Sequence, residues 1–256
     1  MNDNIRKIKE SIASADVVSF DIFDTLIVRL TAKAEDVFKI MEHKTGIKGF
    51  AKAREELQTK CSIMIEQTKM EPHATFDDIY EYMEKNCSLE LRGYSWQQLK
   101  KLELDTECEI LVRNIPMYEV YKYAKEIGKR VVLTSDMYLS AKEIAPILNN
   151  CGYTDYDRLY VSSDCKKTKY RLDLFKYVAE MESVNPGKIV HIGDNYQDDV
   201  INAEKCGFKS ELYKSTRVKA DMDLYQSVCT GVFCYLNNCD DSFWYNIGAK
   251  AGGPLY

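Results

Sequence analysis

The chain has 256 residues, 35 Lys and Arg against 40 Asp and Glu, a net charge of -5 and 45% hydrophobic residues. That balance is the composition of a globular protein: it argues against a strongly basic nucleic-acid binder, and no apolar run approaches the roughly 20 residues that span a bilayer. Met1 to Glu10 is charged and amphipathic where a secretory leader would be apolar, so a cytoplasmic protein is expected.

The first β-rich apolar run is Val17–Phe23. Roughly ninety residues follow before the next helix of the core, at Pro116, far more than a strand-to-helix connection needs, so an inserted domain is expected. The insert reads as all helix: Ala34–Lys44, Ala51–Thr68, Thr75–Lys85 with Thr75 as cap, and Ser95–Val112 opened by the capping box Ser95-x-x-Gln98. Beyond it, Pro116 and Gly128 bracket a helix at Met117–Ile127, since proline suits the first turn and glycine the left-handed residue after the last. A strand follows at Arg130–Ser135, then a helix opened by the capping box of Ser140 and Glu143, and a strand at Arg158–Ser163. A helical run at Tyr170–Glu180 leads to a strand at Lys188–Gly193, a helix from near Asp198 to Gly207, and a weak strand at Ser210–Tyr213.

Strands alternating with helices predict a parallel, doubly wound sheet in a three-layer α/β core. The expected organisation is a core at 1–29 and 114–215, a helical cap at 30–113, and a C-terminal extension at 216–256. The extension carries a helix at Ala220–Leu236 and an aromatic, glycine-rich end that reads as the start of a further region. The nine cysteines are odd in number and never spaced C-x-x-C, so no zinc or disulfide scaffold is expected; Cys229, Cys234 and Cys239 read as reduced core thiols.

Four short segments fall at the C-terminal ends of predicted parallel strands, where open α/β sheets place their sites. They are Asp21-Ile-Phe-Asp-Thr-Leu26, Ser135-Asp136, Lys169, and Gly193-Asp-Asn-Tyr-Gln-Asp-Asp199. In this order they resemble the four motifs of the haloacid dehalogenase-like hydrolase superfamily over about 15–215, on a Rossmann-like core, and the insert resembles that superfamily's first class of helical cap. The phrases Phe20-Asp-Ile-Phe-Asp-Thr-Leu26, Ser135-Asp-Met-Tyr-Leu139 and His191-Ile-Gly-Asp-Asn195 are similar to a branch of predicted hydrolases associated with surface-polysaccharide glycosyltransferases. Fusion to, or association with, such machinery is what that similarity implies.

The resemblance implies that Asp21 is the nucleophile of a covalent aspartyl intermediate, a role a carboxylate fills without prior deprotonation. It implies that Ser135 binds the phosphoryl oxygens, with Thr25 and Asp136 beside it, and that Lys169 supplies a fixed positive charge. Lys169 is preferred to Lys166 and Lys167 because it lies just before the Tyr170–Glu180 run. Asp194 and Asp199 beside Asp21 would repel one another without a cation, and Mg²⁺, a hard ion held by few carboxylates, suits them; the carbonyl of Phe23 would complete the ligands. Cap closure would then exclude water.

One position departs from the pattern. The superfamily's phosphatases carry an acid two residues after the nucleophile, and here that residue is Phe23, with Asp24 one further on. In an extended strand only alternate residues share a face, so Asp24 would point away and cap the turn with Thr25.

Three readings follow: a Mg²⁺-dependent phosphohydrolase of a small phosphorylated compound, for instance a sugar phosphate, with Asp24 or another group as acid; a 2-haloacid dehalogenase, whose members carry an aromatic residue at this position; and a catalytically weak sugar-phosphate-binding module. Of the remaining residues, Arg29 reads either as a contact to a substrate anion from the cap hinge or as an ion pair between core and cap. His191 reads as a core histidine facing away from the site, His43 and His73 fall in the insert, and Tyr138 and Tyr196 are the aromatics nearest the expected site.

Overall fold

The computed structural model describes residues 3–31 and 33–213. The expected helix Ala220–Leu236 and Cys229, Cys234 and Cys239 lie outside the described residues. The strands are β1 (Val17–Phe20), β2 (Ile27–Arg29), β3 (Leu111–Arg113), β4 (Arg130–Ser135), β5 (Arg158–Val161), β6 (Ile189–Gly193) and β7 (Lys209–Leu212). Five form one sheet in the order β5-β4-β1-β6-β7, every pair parallel, and β2 pairs with β3 in a separate ribbon. The chain starts at the centre with β1, builds outward through β4 to β5, then crosses to β6 and β7. The winding reverses between β1 and β6, the place where open sheets leave a crevice at their C-terminal edge.

Val17, Val18, Phe20, Val131, Val132, Leu133, Ile189, Val190 and Ile192 are all buried, as strands covered on both faces must be. Alternation divides them. Val17, Val132 and Ile189 pack with Leu174, Phe175 and Val178 of the helix Asp173–Glu182. Phe20 turns the other way, and its ring meets Tyr121 of the helix Ile115–Glu126. Each such side chain removed from water contributes about 1.5–3 kcal/mol. The expected punctuation is present: Gly128 and Gly207 take φ of 74° and 85° after their helices, and Glu143 accepts from the Ser140 N–H at 2.7 Å.

Three segments differ from the sequence expectation. β1 ends at Phe20 and not at Phe23, because the Ile22 carbonyl accepts from the N–H groups of Leu26 and Ile27 at 2.8 and 3.0 Å, closing residues 21–26 into a tight loop. The helix after Lys169 begins at Asp173, which leaves Lys169 in the preceding loop. The helix after Asp194 opens with one wide turn, Tyr196–Ile201, before Asn202–Lys205.

The insert has the four expected helices, Asp36–Thr45, Phe50–Lys69, Phe76–Asn86 and Trp96–Ile110, the last with Ser95 and Gln98 bonded reciprocally at 3.2 and 2.8 Å. Residues 29–64 and 76–112 form a compact unit of their own. Ile65–Thr75, inside the span read as cap, belongs instead with the core unit, where Glu66 pairs with Arg171 and Glu71 with Lys166 at 2.6 and 2.7 Å. The second unit is built around a fully buried Arg54, whose guanidinium grips Glu103 bidentately at 2.8 and 2.7 Å and lies over the Phe38 and Tyr80 rings. One turn further along the same helix, Glu107 pairs with buried Arg29 at 3.3 Å. No helix of the described residues is long and apolar enough to cross a membrane.

Candidate active site

The C-terminal ends of β1, β4 and β6 bring Asp21, Ser135 and Asp194 to one edge of the sheet, and the loop before the helix Asp173–Glu182 adds Lys169. The Lys169 ammonium, itself buried, donates to Asp21 Oδ1 and to Asp199 Oδ1, each at 2.6 Å. Lys166 is spent on Glu71 and Lys167 lies over the Tyr177 ring, so Lys169 is the lysine of this stretch that reaches Asp21. Desolvation works against its charge, but Asp21 and Asp199 more than compensate and keep its pKa above the ordinary lysine value.

Asp199 is brought in by the wide turn and by Gly193. A Cβ at Gly193 would collide with the Asp199 carboxylate, so glycine there lets Asp199 fill the space a side chain would take. Asp199 Oδ1 also meets His191 Nε2 at 3.1 Å, and Oδ2 accepts the Asn195 N–H at 3.0 Å. Burial would raise this carboxyl; Lys169 and His191 override it and hold the group below the usual carboxylate range. Asp198 is taken up by Asn195 and Asn202 instead.

Asp21 and Asp194 behave in the opposite way. Burial pushes Asp21 well above its ordinary value despite Lys169, with Asp199 and Asp194 adding to the rise. Burial raises Asp194 to about 6, helped by the charges of Asp24 and Asp199. The charge of Asp24 is thus felt at Asp194. The strand premise that turned it away fails because the chain has already left the sheet: Asp24 sits in the loop at φ 59°, a left-handed conformation that aspartate tolerates. Phe23 is half-buried in the same loop.

One carboxylate oxygen from each of Asp21, Asp194 and Asp199 lies within 4.8 Å of the others. Asp199 already accepts from Lys169, His191 and the Asn195 N–H, so Asp21 and Asp194 carry the less engaged oxygens of the three. Four carboxylates counting Asp24, against the single ammonium of Lys169, leave an excess of negative charge, and an all-oxygen donor set of this kind fits a hard divalent ion.

The other expected residues are placed as follows. Thr25, fully buried, donates to Asp194 Oδ1 at 3.2 Å and so orients that carboxylate. Ser135 is buried at the end of β4. Asp136, expected on the substrate, accepts the Lys169 N–H on both oxygens at 3.0 and 2.9 Å, so its bonds fix the Lys169 loop. Arg29, 6% exposed, forms the ion pair that was the alternative to a substrate contact, with Glu107 at 3.3 Å, and both residues fall in the second unit. Tyr196 is 61% exposed and Tyr138 half-buried.

Two groups of residues escaped the sequence reading. His191 does not face away: its ring touches Asp199, and its other nitrogen, Nδ1, meets Ser19 Oγ at 2.8 Å. The available signal was parity, since Ser19 stands two residues before Asp21 and pairs with His191 across β1 and β6. Asn114 is the second case. Its side chain donates to the Thr25 carbonyl at 2.6 Å and accepts from Tyr213 at 3.2 Å, while the Tyr213 N–H donates to the Gly193 carbonyl at 2.7 Å. Asn114 and Tyr213 thus tie the loop of Asp24 and Thr25 to that of Asp194, and nothing in spacing foretold it.

Among solved structures the chain is similar to an L-2-haloacid dehalogenase from Xanthobacter autotrophicus, at 16% identity over 84% of this chain and 88% of that one with a TM-score of 0.54. It is also similar to a defluorinating L-2-haloacid dehalogenase, at 13% identity over 80% and 84% with a TM-score of 0.59. A third likeness is to a phosphatase of the same superfamily from Thermococcus onnurineus, at 18% identity over 76% and 84% with a TM-score of 0.52. At such identities the likeness is one of fold. No curated protein matches the chain. The sequence model of the haloacid dehalogenase-like hydrolases matches residues 15–207, a span holding all four carboxylates and Lys169, and the chain belongs to that family.

Proposed function

We propose that the protein is a Mg²⁺-dependent phosphohydrolase acting on a small phosphorylated compound, with Asp21 as nucleophile. The observation that carries this reading is the excess of carboxylate around Lys169, in particular Asp194, a charge that displacement of a halide gives no reason to keep. With Lys169 holding Oδ1, the second oxygen of Asp21 attacks phosphorus, the bond to the leaving alkoxide breaks, and an aspartyl phosphate forms. Water then attacks phosphorus and frees the carboxylate. Ser135 hydrogen-bonds the phosphoryl oxygens and Lys169 offsets their charge. Asp24 gives a proton to the leaving oxygen and recovers one from the attacking water, standing in for the acid that Phe23 replaces. When bound between Asp21 and Asp194, beside the Phe23 carbonyl, Mg²⁺ would relieve the repulsion between an ionised nucleophile and an anionic substrate.

Phe23 favours a second reading, halide displacement by the same Asp21. The two are separated by measuring phosphate release from sugar phosphates, nucleotides and p-nitrophenyl phosphate beside chloride release from 2-chloropropionate, each with and without Mg²⁺. Metal-dependent phosphate release abolished in Asp21→Asn supports the proposal. Metal-independent chloride release replaces it with the dehalogenase, and binding of sugar phosphates without turnover replaces it with a binding module.

A further inference from the structure

The face of the sheet covered by Phe175 is stratified along the strands. Its lower part is apolar: Val17, Val132 and Ile189 pack on the helix Asp173–Glu182. Two residues on in each strand come Ser19, Thr134 and His191, all fully buried; Ser19 is in register with His191, while Thr134 stands two residues beyond Val132, the residue of β4 that Ser19 pairs with. Above these come Asp21 and, over the gap at Gly193, Asp199. A buried serine, threonine and histidine on one face of a central sheet are costly unless each polar atom finds a partner. Here the partners are consecutive: Thr134 Oγ1 to Ser19 Oγ at 2.9 Å, Ser19 Oγ to His191 Nδ1 at 2.8 Å, and His191 Nε2 to Asp199 Oδ1 at 3.1 Å.

The chemistry of the end group sets the direction of every bond. Asp199 Oδ1 is a carboxylate oxygen that already accepts from Lys169, so the proton shared with the imidazole sits on Nε2. The ring is fully buried, and its Nδ1 faces the Ser19 hydroxyl and not a second carboxylate that would hold a second proton, so the imidazole is drawn neutral with Nδ1 as an acceptor; burial shifts its pKa down, in the same direction. Ser19 must then donate to Nδ1 and accept from Thr134. The Phe175 ring, 4.9 Å away and nearly perpendicular, walls the imidazole in place.

We infer that Thr134, Ser19 and His191 form a directed hydrogen-bond chain whose last donor, His191 Nε2–H, fixes the Asp199 carboxylate where it holds the Lys169 ammonium against Asp21. His191 is thus a positioning residue of the site. Asp199 needs such a hold because it arrives from a wide turn, through a space left open by glycine, with no strand of its own to orient it. The inference rests on the reading of Asp21 as nucleophile; the hydrogen-bond directions do not.

The test uses the full chain labelled with ¹⁵N-histidine. Two-bond ¹H–¹⁵N correlation at neutral pH reads the tautomer of each of the 3 histidines, and His191→Gln identifies the signals of His191 by their loss. A neutral ring protonated at Nε2 is expected; protonation at Nδ1, or at both nitrogens, overturns the chain as drawn. The second arm follows p-nitrophenyl phosphate turnover with Mg²⁺. His191→Leu, which has no donor, should lose about tenfold or more in kcat with KM within about twofold, and His191→Gln, whose amide can present an N–H at the place of Nε2, should recover most of it. An unchanged kcat in His191→Leu, or equal losses in both variants, overturns the positioning role. If the wild type releases no phosphate, the phosphohydrolase reading fails, and the tautomer alone decides the chain.

Discussion

Both units of the protein bury charge, and they do so in opposite ways. In the second unit two arginines face two glutamates on successive turns of one helix, Arg54 with Glu103 and Arg29 with Glu107, and the sum is zero. In the core, Lys169 alone faces Asp21 and Asp199, with Asp194 and Asp24 close by, and the sum is strongly negative. In the first arrangement the Arg54–Glu103 pair needs nothing more than its own bidentate geometry and ring contacts, and Glu107, raised by burial, has the single charge of Arg29 against its own. The second holds Asp21 and Asp194 at raised pKa values, a state that a cation would relieve. Imbalance, and not burial, separates the core cluster from a structural ion pair.

The largest effect expected from this comparison is functional. Asp21→Asn should lose about 10⁴-fold or more of kcat, as removal of a nucleophile does, while its melting temperature holds or rises because a repelled carboxylate has gone. Glu103→Ala should do the reverse. It leaves Arg54 buried without its partner and should cost about 3–5 kcal/mol in denaturant unfolding, whereas Asp194→Asn should cost no stability. A stability loss in Asp194→Asn comparable to that of Glu103→Ala would erase the distinction between the two clusters.

Smaller effects sharpen it. Asp24→Asn keeps a residue that accepts the left-handed backbone and removes only the acid, so kcat should fall about 10²-fold with little change in melting temperature. The pH dependence of cation binding has a definite sign. With Asp194 raised to about 6, a cation must displace its proton below that pH, so affinity should strengthen as pH rises. The proton on Asp194 alone makes binding about tenfold weaker at pH 5 than at pH 7, and the raised pKa of Asp21 steepens the dependence further, with proton release visible in calorimetry. Smallest of all, Arg171→Ala breaks an exposed pair with Glu66 and should change unfolding free energy by no more than about 0.5 kcal/mol.

What the sequence conveyed follows from what is local in it. Strands alternating with helices, glycines after helix ends and four polar segments at strand ends are patterns of neighbouring residues, and they placed Asp21, Ser135, Lys169 and Asp194 together. The end of β1 was not local in this sense: Ile22 and Phe23 have strand-forming side chains, and only the folded loop, with Ile22 accepting two N–H groups, shows that Asp24 sits in a tight turn and not in an extended strand. His191 was misread because the missing side chain of Gly193 lets Asp199 descend beside it, an approach that depends on the wide turn at Tyr196–Ile201. The attachment of Ile65–Thr75 to the core rests on pairs such as Glu66 with Arg171, residues far apart in the chain whose charges are unremarkable alone.

The most direct test of the charge argument is calorimetric titration of Mg²⁺ into the wild-type protein and into Asp194→Asn at neutral pH. A single saturable site in the wild type that is lost or strongly weakened in Asp194→Asn is the predicted result. No binding in the wild type, or the same affinity in both, would contradict the account of the carboxylate excess as a cation site.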